Sequence, residues 1–542
     1  MSEKSKLVTA LYEAGVMLEV LEPKSFRSRA YLSASRLVED SPYTLEELTQ
    51  EKKALEIKGI GNSLFAQISA FAATGVLPVR TDLDSVWPDG LWEVLRVPGF
   101  GPRKVSALYH ELGISSLAEL EYACNENRLI TLHGFGHKTQ EKALESIARL
   151  KSERGKRLFA DVEDLAETLL SELRQVAGLA SLDIAGEYRR LLPVTDGLKF
   201  VVTADPTDDV TFPGWLAPDE NPVFPPVPGG TAYVGEREGV KVALYLYAPA
   251  QLGTAMAWHT GSDDYLASIG ASAEHLAPSE MEYFAAFTEP FREPWQREDE
   301  QLMAEDAGPI LTMADIPGVL HVHSTYSDGS ASILDLARAA KGAGFKYLGI
   351  ADHSQTAVYA RGLTVDRLRE QWDEINRLNE IPELSGLRIL RGIESDILAD
   401  GSLDYPEEIL AQFDFVVASV HSQFRMSRED MTARLVRAAL NPHVDIIGHL
   451  TGRILLGRPG YDFDFDAVLA ACKQSGTALE LNANPHRMDI GWRHCLAARK
   501  AGVKVAINPD AHHPEHLTHV SYGLNIANKA GLRRDDLFEI KL

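Results

Sequence analysis

Twelve of the 17 histidines fall after residue 318, and their placement is ordered. In GVLHVHSTYSDG (318–329) apolar residues alternate with His321 and His323, so both rings project from one face of a strand. Further apolar runs each end in polar side chains. YLGIADHS ends in Asp352 and His353, RILRGIES in Glu394, FDFVVASVHS in His421, VDIIGHL in His449, TALELNANP near Asn482 and Asn484, and VKVAINPDAHH in Asp510 and His512. A lone histidine at a strand end is usually a satisfied hydrogen bonder. A set of them converging on one mouth with Asp328, Glu394 and Asp510 would be very costly to bury without cations. Imidazole and carboxylate donors without thiolate suit zinc, manganese or iron rather than magnesium. Such ions lower the pKa of a bound water to near neutrality and hold phosphate oxygens in line, which is the chemistry of phosphoester hydrolysis. Arg453 in TGRILLGRPGY and Arg487 in NANPHRMDI lie in loops where a guanidinium could clamp a phosphate or form a surface salt bridge. Asp352 is expected to orient one of the histidines.

Those residues need strands ending at one rim. Amphipathic stretches such as ILDLARAAKGAG and FDAVLAACKQSG separate the apolar runs. The alternation predicts a seven-stranded (β/α) barrel with its site at the C-terminal ends of the strands.

Residues 1–155 read as mostly helical, with apolar positions at helical spacing in LVTALYEAGVMLEVL. Three stretches within them repeat one plan: LEIKGIGNSLFAQISAF (55–71), LRVPGFGPRKVSALY (95–109) and LITLHGFGHKTQEKALESI (129–147). Each is an apolar stub, a Gly-x-Gly and a helix start. The pairs are Gly59/Gly61, Gly99/Gly101 and Gly134/Gly136, with Lys58, Arg103, Lys104 and Lys138 beside them. Glycine lets a backbone approach a ligand closely, and a helix start offers free N–H groups to a phosphate. One copy could be a tight helix connection; three resemble helix-hairpin-helix motifs, which grip DNA without reading its sequence.

The net charge of −24 is unevenly spread. Residues 1–160 carry 21 basic and 21 acidic side chains, whereas 161–310 carry 8 and 27. The middle region should therefore repel a phosphate backbone. Cys124, Cys472 and Cys495 are scattered, which argues for a reducing compartment and against a disulfide framework. No apolar run reaches ~18 residues, and MSEKSKLVTALYEAG lacks a signal peptide's core, so a cytoplasmic protein without membrane contact is expected.

The middle region contains AGEYRRLLPVTDGLKFVV (185–202), and further on TGS at Thr260-Gly261-Ser262. With the hairpins before them and HxH-x4-DG, DH, GIE, VHS, GH and DAH after them, the chain resembles the bacterial and archaeal family X DNA polymerases that carry a C-terminal PHP domain. The resemblance implies a multidomain α plus α/β fold. A lyase-type helical domain with the first hairpin would occupy 1–80 and a fingers-like region with two further hairpins 81–158. A nucleotidyltransferase-like α+β palm and thumb would span 159–287, a linker 288–316 and the PHP barrel 317–542.

In the palm the family's serine is replaced by Glu187. Its Asp-x-Asp positions fall on Gly197 and Lys199, and its third carboxylate on Ala243. Two-metal phosphoryl transfer needs paired carboxylates, so polymerase activity is expected to be weak or lost unless Asp196 or Asp205 is recruited. The stretch 205–230 reads as a Pro-rich loop. Lyase chemistry needs a nucleophilic lysine, and Ser63 and Gln67 stand where resembling members place lysines. Arg27 and Arg29 could still hold a 5′-phosphate, and Arg189 and Arg190 could touch DNA.

In the PHP domain the resemblance implies nine metal ligands: His321, His323, Asp328, His353, Glu394, His421, His449, Asp510 and His512. They would hold three divalent ions, manganese or zinc, with Glu394 bridging two and no organic cofactor. The catalytic group would be His321, His323, Glu394 and Asp510, with Arg453 on the phosphate. The function implied is a metal-dependent 3′–5′ exonuclease in DNA repair, acting as a monomer on gapped DNA or free ends. Gap-filling polymerisation with other carboxylates, and a phosphatase for a small phosphomonoester, are the alternatives.

Overall fold

In the computed structural model the described residues are 3–540, except 24, 89, 126–127, 130–131, 133, 153–154, 220–226, 288–289, 300–308 and 457–458. They divide into two compact units, Met1–Arg154 and Gly155–Leu542.

The first unit is helical. The long helices Glu3–Leu21 and Arg27–Glu39 pack together over Leu7, Leu11, Ala34 and Val38. The first glycine of each Gly-x-Gly pair adopts a positive φ, 115° at Gly59 and 84° at Gly99 and Gly134. A helix then starts right after each second glycine: Asn62–Thr74, Pro102–Leu112 and His137–Ser152. The aromatic residues between the last two glycine pairs, Phe100 and Phe135, meet edge to face with centroids 5.6 Å apart. Part of the third apolar stub lies outside the described residues. Among the described residues no single helix is long and apolar enough to cross a membrane.

The second unit opens with a five-stranded sheet: β1 (Leu179–Ala185), β2 (Leu198–Ala204), β3 (Leu216–Pro218), β4 (Thr231–Arg237) and β5 (Val240–Tyr247), in the order β1-β2-β5-β4-β3. Only β2 and β5 run parallel. Helix Phe159–Leu173 buries Val162, Leu165 and Leu169 against Leu198, Phe200 and Leu244 of this sheet. The stretch expected as a loop across 205–230 is not all loop, because Leu216–Pro218 pairs with β4. Its apolar Leu216 joins the core, a tertiary gain that local proline content does not reveal.

The barrel follows, with seven parallel strands: β6 (Gly318–Val322), β7 (Tyr347–Ile350), β8 (Arg388–Asp396), β9 (Phe415–Ser419), β10 (Ile446–Ile447), β11 (Ala478–Asn482) and β12 (Val505–Asn508), paired in sequence order. Val322 bridges to Ala511 just past β12, so the ring nearly closes. Helices Ile333–Gly342, Val365–Asn379, Arg428–Ala439 and Phe465–Ser475 cover its outside. Each is capped at its start by Ser332, Thr364, Ser427 or Asp464, whose side chain accepts a backbone N–H of the first turn. At the barrel's centre the Phe415 ring lies across β7 and β8, where a Cβ on Gly349 or Gly392 would come within 2.5 or 2.1 Å of it. This ring fills the barrel below the rim, which leaves the C-terminal ends of the strands for polar side chains.

Candidate metal centre

The C-terminal strand ends bring all nine expected residues together. His321 and His323 come from the end of β6, His353 from the connection after β7, Glu394 from β8 and His421 from beyond β9. His449 follows β10, and Asp510 and His512 follow β12. Glu394 is the hub. Its carboxylate oxygens lie 3.3 Å from His321 Nε2, 3.8 Å from His323 Nε2, 2.9 Å from His353 Nδ1, 3.2 Å from His421 Nε2 and 3.0 Å from His449 Nε2. Asp328 spans His323, His353 and His512 at 3.4 to 3.5 Å, and Asp510 lies 3.3 Å from His323 Nε2. His449 and Asp510 both carry positive φ, 24° and 50°, a conformation non-glycine residues avoid unless their surroundings impose it.

The donor atoms fall into three overlapping groups, each with atoms within 4.8 Å of one another: His323/Asp328/His353/His512, His321/His323/Asp510 and His353/Glu394/His421. Although carboxylates are close, His321 Nε2 and both nitrogens of His323 are buried without a hydrogen-bond partner among the described residues. Lone pairs aimed at shared points rather than at each other fit divalent cations, and an unpaired buried polar atom is otherwise costly. Burial opposes ionisation of Glu394, but His421, His321 and His353 hold its carboxyl well below the usual range. His353, despite burial, is raised to about 10 by Glu394 and Asp328. Burial and the neighbouring His512 push His323 down to about 3.

Two carboxylates absent from the expected set orient the rings. Glu480, fully buried on β11, is 2.6 Å from His321 Nδ1 and also accepts the N–H of His449 at 2.8 Å. Asp396 is 2.6 Å from His421 Nδ1. Each engages one ring nitrogen and leaves the other for the centre. The available signal is a glutamate between leucines in TALELN, since a charge inside an apolar strand must have a partner. Asp352 does something other than expected. It accepts from the N–H and hydroxyl of Ser324 and Ser327 and from Gln371, so it braces the turn after His323 rather than a histidine. Arg453 is committed to the backbone carbonyls of Arg487 and Met488. The arginine beside the centre is Arg487, with Nε 3.5 Å from Asp510.

In the middle sheet Lys199 on β2 pairs in register with Ala243 on β5, and Gly197 sits just before β2, so the three substituted positions are adjacent. The Lys199 ammonium lies 3.1 Å from Glu187, beside a cavity of about 600 Å³ lined also by Arg190, Tyr245, His259 and Ser262. Asp196 and Asp205 are exposed and do not line it. Arg189 and Arg190 do not reach out as expected. Arg189 grips Glu280 at 2.7 and 2.9 Å, and Arg190 grips Glu298 at 2.8 Å and the Thr260 carbonyl at 2.6 Å.

In the helical unit Arg103 is exposed and paired with Glu19 at 3.1 Å, while Lys104 stands over the rings of Phe100 and Phe135 at 5.7 and 5.4 Å. Lys138 is exposed. Gln67 accepts the N–H of Val79 at 3.0 Å. A Cβ placed on Gly61, Gly99, Gly101, Gly134 or Gly136 would meet nothing within 4 Å. Gly101 has φ −73°, which any residue adopts, so nothing among the described residues requires glycine there. Gly101→Ala is expected to cost at most about 1 kcal/mol of stability but to weaken binding to duplex DNA several-fold. Thermal unfolding run beside a titration of labelled duplex checks both halves.

Comparison with known proteins agrees with this architecture. Residues 320–484 match the PHP domain, residues 2–77 a helix-hairpin-helix domain and residues 93–149 a SAM-like helix-hairpin-helix tandem. The barrel with its histidine cluster is thus a PHP domain, a metal-dependent phosphoesterase class, attached to DNA-binding hairpins. The DNA polymerase/3'-5' exonuclease PolX of Bacillus subtilis is 31% identical across 97% of this chain and 95% of its own length. The chain belongs to the PolX family, the family X DNA polymerases with a C-terminal PHP domain. Probable phosphatases of Thermoanaerobacter sp. and Clostridium acetobutylicum are 33% and 30% identical over 40% and 36% of the chain.

Proposed function

We propose that the protein is a DNA-end nuclease whose chemistry resides in the PHP barrel. It would remove nucleotides in the 3′–5′ direction as a cytoplasmic monomer bound to gapped DNA or free ends. The observation that carries this reading is the Glu394 hub, one carboxylate within 3.8 Å of five imidazoles, in a chain that also has hairpins for DNA. His321, His323, Asp328, His353, Glu394, His421, His449, Asp510 and His512 would hold three ions, manganese or zinc, in keeping with the three overlapping donor groups. When bound, the ions supply a water ionised near neutral pH and a seat for phosphate oxygens. Glu480 and Asp396 hold the rings of His321 and His421, respectively, in the orientation this requires. Arg487, tied to Asp510, is placed to steady a phosphate's charge.

The palm would be a retained fold without polymerase chemistry. Lys199 supplies a cation of its own and pairs with Glu187, where family members carry metal-binding carboxylates. The resemblance of the barrel to probable phosphatases supports a second reading, hydrolysis of a small phosphomonoester. One assay separates the readings. A gapped duplex with both primer ends labelled is incubated with deoxynucleotides, first with chelator and then with Mn²⁺ or Zn²⁺. Shortening of the 3′ end on metal addition, with no extension and with loss of shortening in His421→Ala, is expected. Extension that survives Lys199→Ala would overturn the view of the palm. Hydrolysis of simple phosphomonoesters without shortening would favour the phosphatase.

A further inference from the structure

The barrel mouth is rimmed by the connections that leave its strands, and two of these present side chains that the cluster does not use. After His353 the chain folds back on itself. Gly362 N–H donates to Ala357 O at 3.0 Å and Leu363 N–H to His353 O at 2.9 Å. Thr356 donates its hydroxyl to Asp396 at 2.7 Å and its N–H to Asp404 at 3.0 Å. Arg361, with φ 59°, reaches the carbonyl of Ser327 next to Asp328. Ala357 and Ala360 are buried in this pinned loop, yet Val358 is 80% exposed.

The connection after His421 is pinned as well. Arg434, itself buried, donates to Ser422 O at 3.0 Å. Phe424 stacks on Tyr461 with centroids 6.1 Å apart, and Gln423 holds φ 55°. This loop presents Arg425, exposed and without a carboxylate partner among the described residues, in a chain of net charge −24. One carboxylate joins the two connections, since Asp396 takes the Thr356 hydroxyl on Oδ2 and faces His421 Nδ1 with Oδ1. The rim and the ring that faces the centre are therefore set by the same group. A fixed loop that exposes an aliphatic side chain, next to one that exposes an arginine with no acidic partner among the described residues, suits a strand with alternating bases and phosphates.

We propose that Arg425 and Val358 recognise the nucleic-acid strand entering the mouth, Arg425 through a backbone phosphate and Val358 against a base near the strand's end. Chain length limits Arg425 to about 14 Å from His421 and Val358 to about 18 Å from His353, a reach of a few nucleotides. The inference rests on the nuclease reading and adds residues that a small phosphoester would not touch.

The test uses the full-length protein loaded with Mn²⁺ and two substrates, a single-stranded oligonucleotide with a labelled 3′ end and bis(p-nitrophenyl) phosphate. Arg425→Gln is expected to raise KM for the oligonucleotide about tenfold and to lower the slope of log KM against log salt by about 0.7, the share of one phosphate contact. Arg425→Lys should restore that slope. Val358→Asp should raise the oligonucleotide KM several-fold at an unchanged kcat. Hydrolysis of the small diester should stay at the wild-type rate in all three variants, which also verifies folding. Equal losses on both substrates, or no change on the oligonucleotide, would overturn the inference. A wild-type protein that cleaves the diester but no oligonucleotide would overturn the nuclease reading and this inference with it.

Discussion

Glu394→Gln is expected to lower phosphoester hydrolysis by on the order of 10³-fold or more, beyond what removal of a single electrostatic donor costs in an active site. The expected size follows from position. Glu394 is 1% exposed, and five imidazoles stand within 3.8 Å of its two oxygens. The amide keeps the shape but loses the negative charge and turns one oxygen into a donor pointing at imidazole nitrogens. Glu480→Gln provides the scale. It would leave all nine residues in place and disturb the orientation of His321 and the backbone anchor of His449, so a loss of about 10- to 100-fold is expected. Steady-state rates and metal content after dialysis, measured on both variants, check the ranking. If Glu394→Gln retained both activity and metal, the centre would have to lie elsewhere.

Glu280→Ala is expected to have the largest effect on stability, about 3–5 kcal/mol, the range for removing one partner of a buried ion pair. Glu280 serves two arginines. Arg189 holds it through two bonds of 2.9 and 2.7 Å, and Arg297, fully buried, donates to it as well. Burial works against its charge, but Arg189 and Arg297 keep its carboxyl below the ordinary glutamate range. Without it Arg297 retains only the Arg292 carbonyl and the rings of Phe284 and Phe291, at 4.7 and 5.2 Å, as partners among those described. Because the folded-state pKa is lowered, this contribution is fully present above the usual glutamate pKa. It is lost as pH falls through that value towards the lowered one. Urea unfolding at neutral pH and again under acid conditions should show a gap between wild type and variant that narrows in acid. A constant gap would point to lost packing rather than lost charge.

The barrel and its cluster are legible in the sequence because each ligand-type residue closes an apolar run, and a strand's period places such residues at one rim. The hairpins are legible because a positive φ at Gly59, Gly99 and Gly134 requires the residue type that the repeat displays. Glu480 escapes a reading of strand termini because it lies inside β11, and Asp396, the last residue of β8, escapes it because it points at the ring of His421 rather than at the centre. The partners of Arg189 and Arg190 lie 91 and 108 residues away, so no local pattern can supply them, and a basic pair is naturally assigned to DNA. Arg453 does not reach the centre for a similar reason. Its guanidinium is drawn to carbonyls that become neighbours only once the loop at 487–488 is in place.

Lys529, at the end of the last barrel helix, is wholly buried and donates to the carbonyls of Arg190 and Trp295 and to Glu298. Burial pushes its pKa down to about 8 even with Glu298 beside it. Two of those three acceptors belong to the segment that leads into the barrel, and the third to the middle domain. The two domains are therefore not interchangeable modules. A lineage that discarded the middle domain would inherit an ammonium group stripped of an acceptor, and would have to replace Lys529 as well. On the proposed reading of the palm, a domain emptied of its chemistry can persist in a genome for that reason, held by the cost of removing it rather than by anything it catalyses.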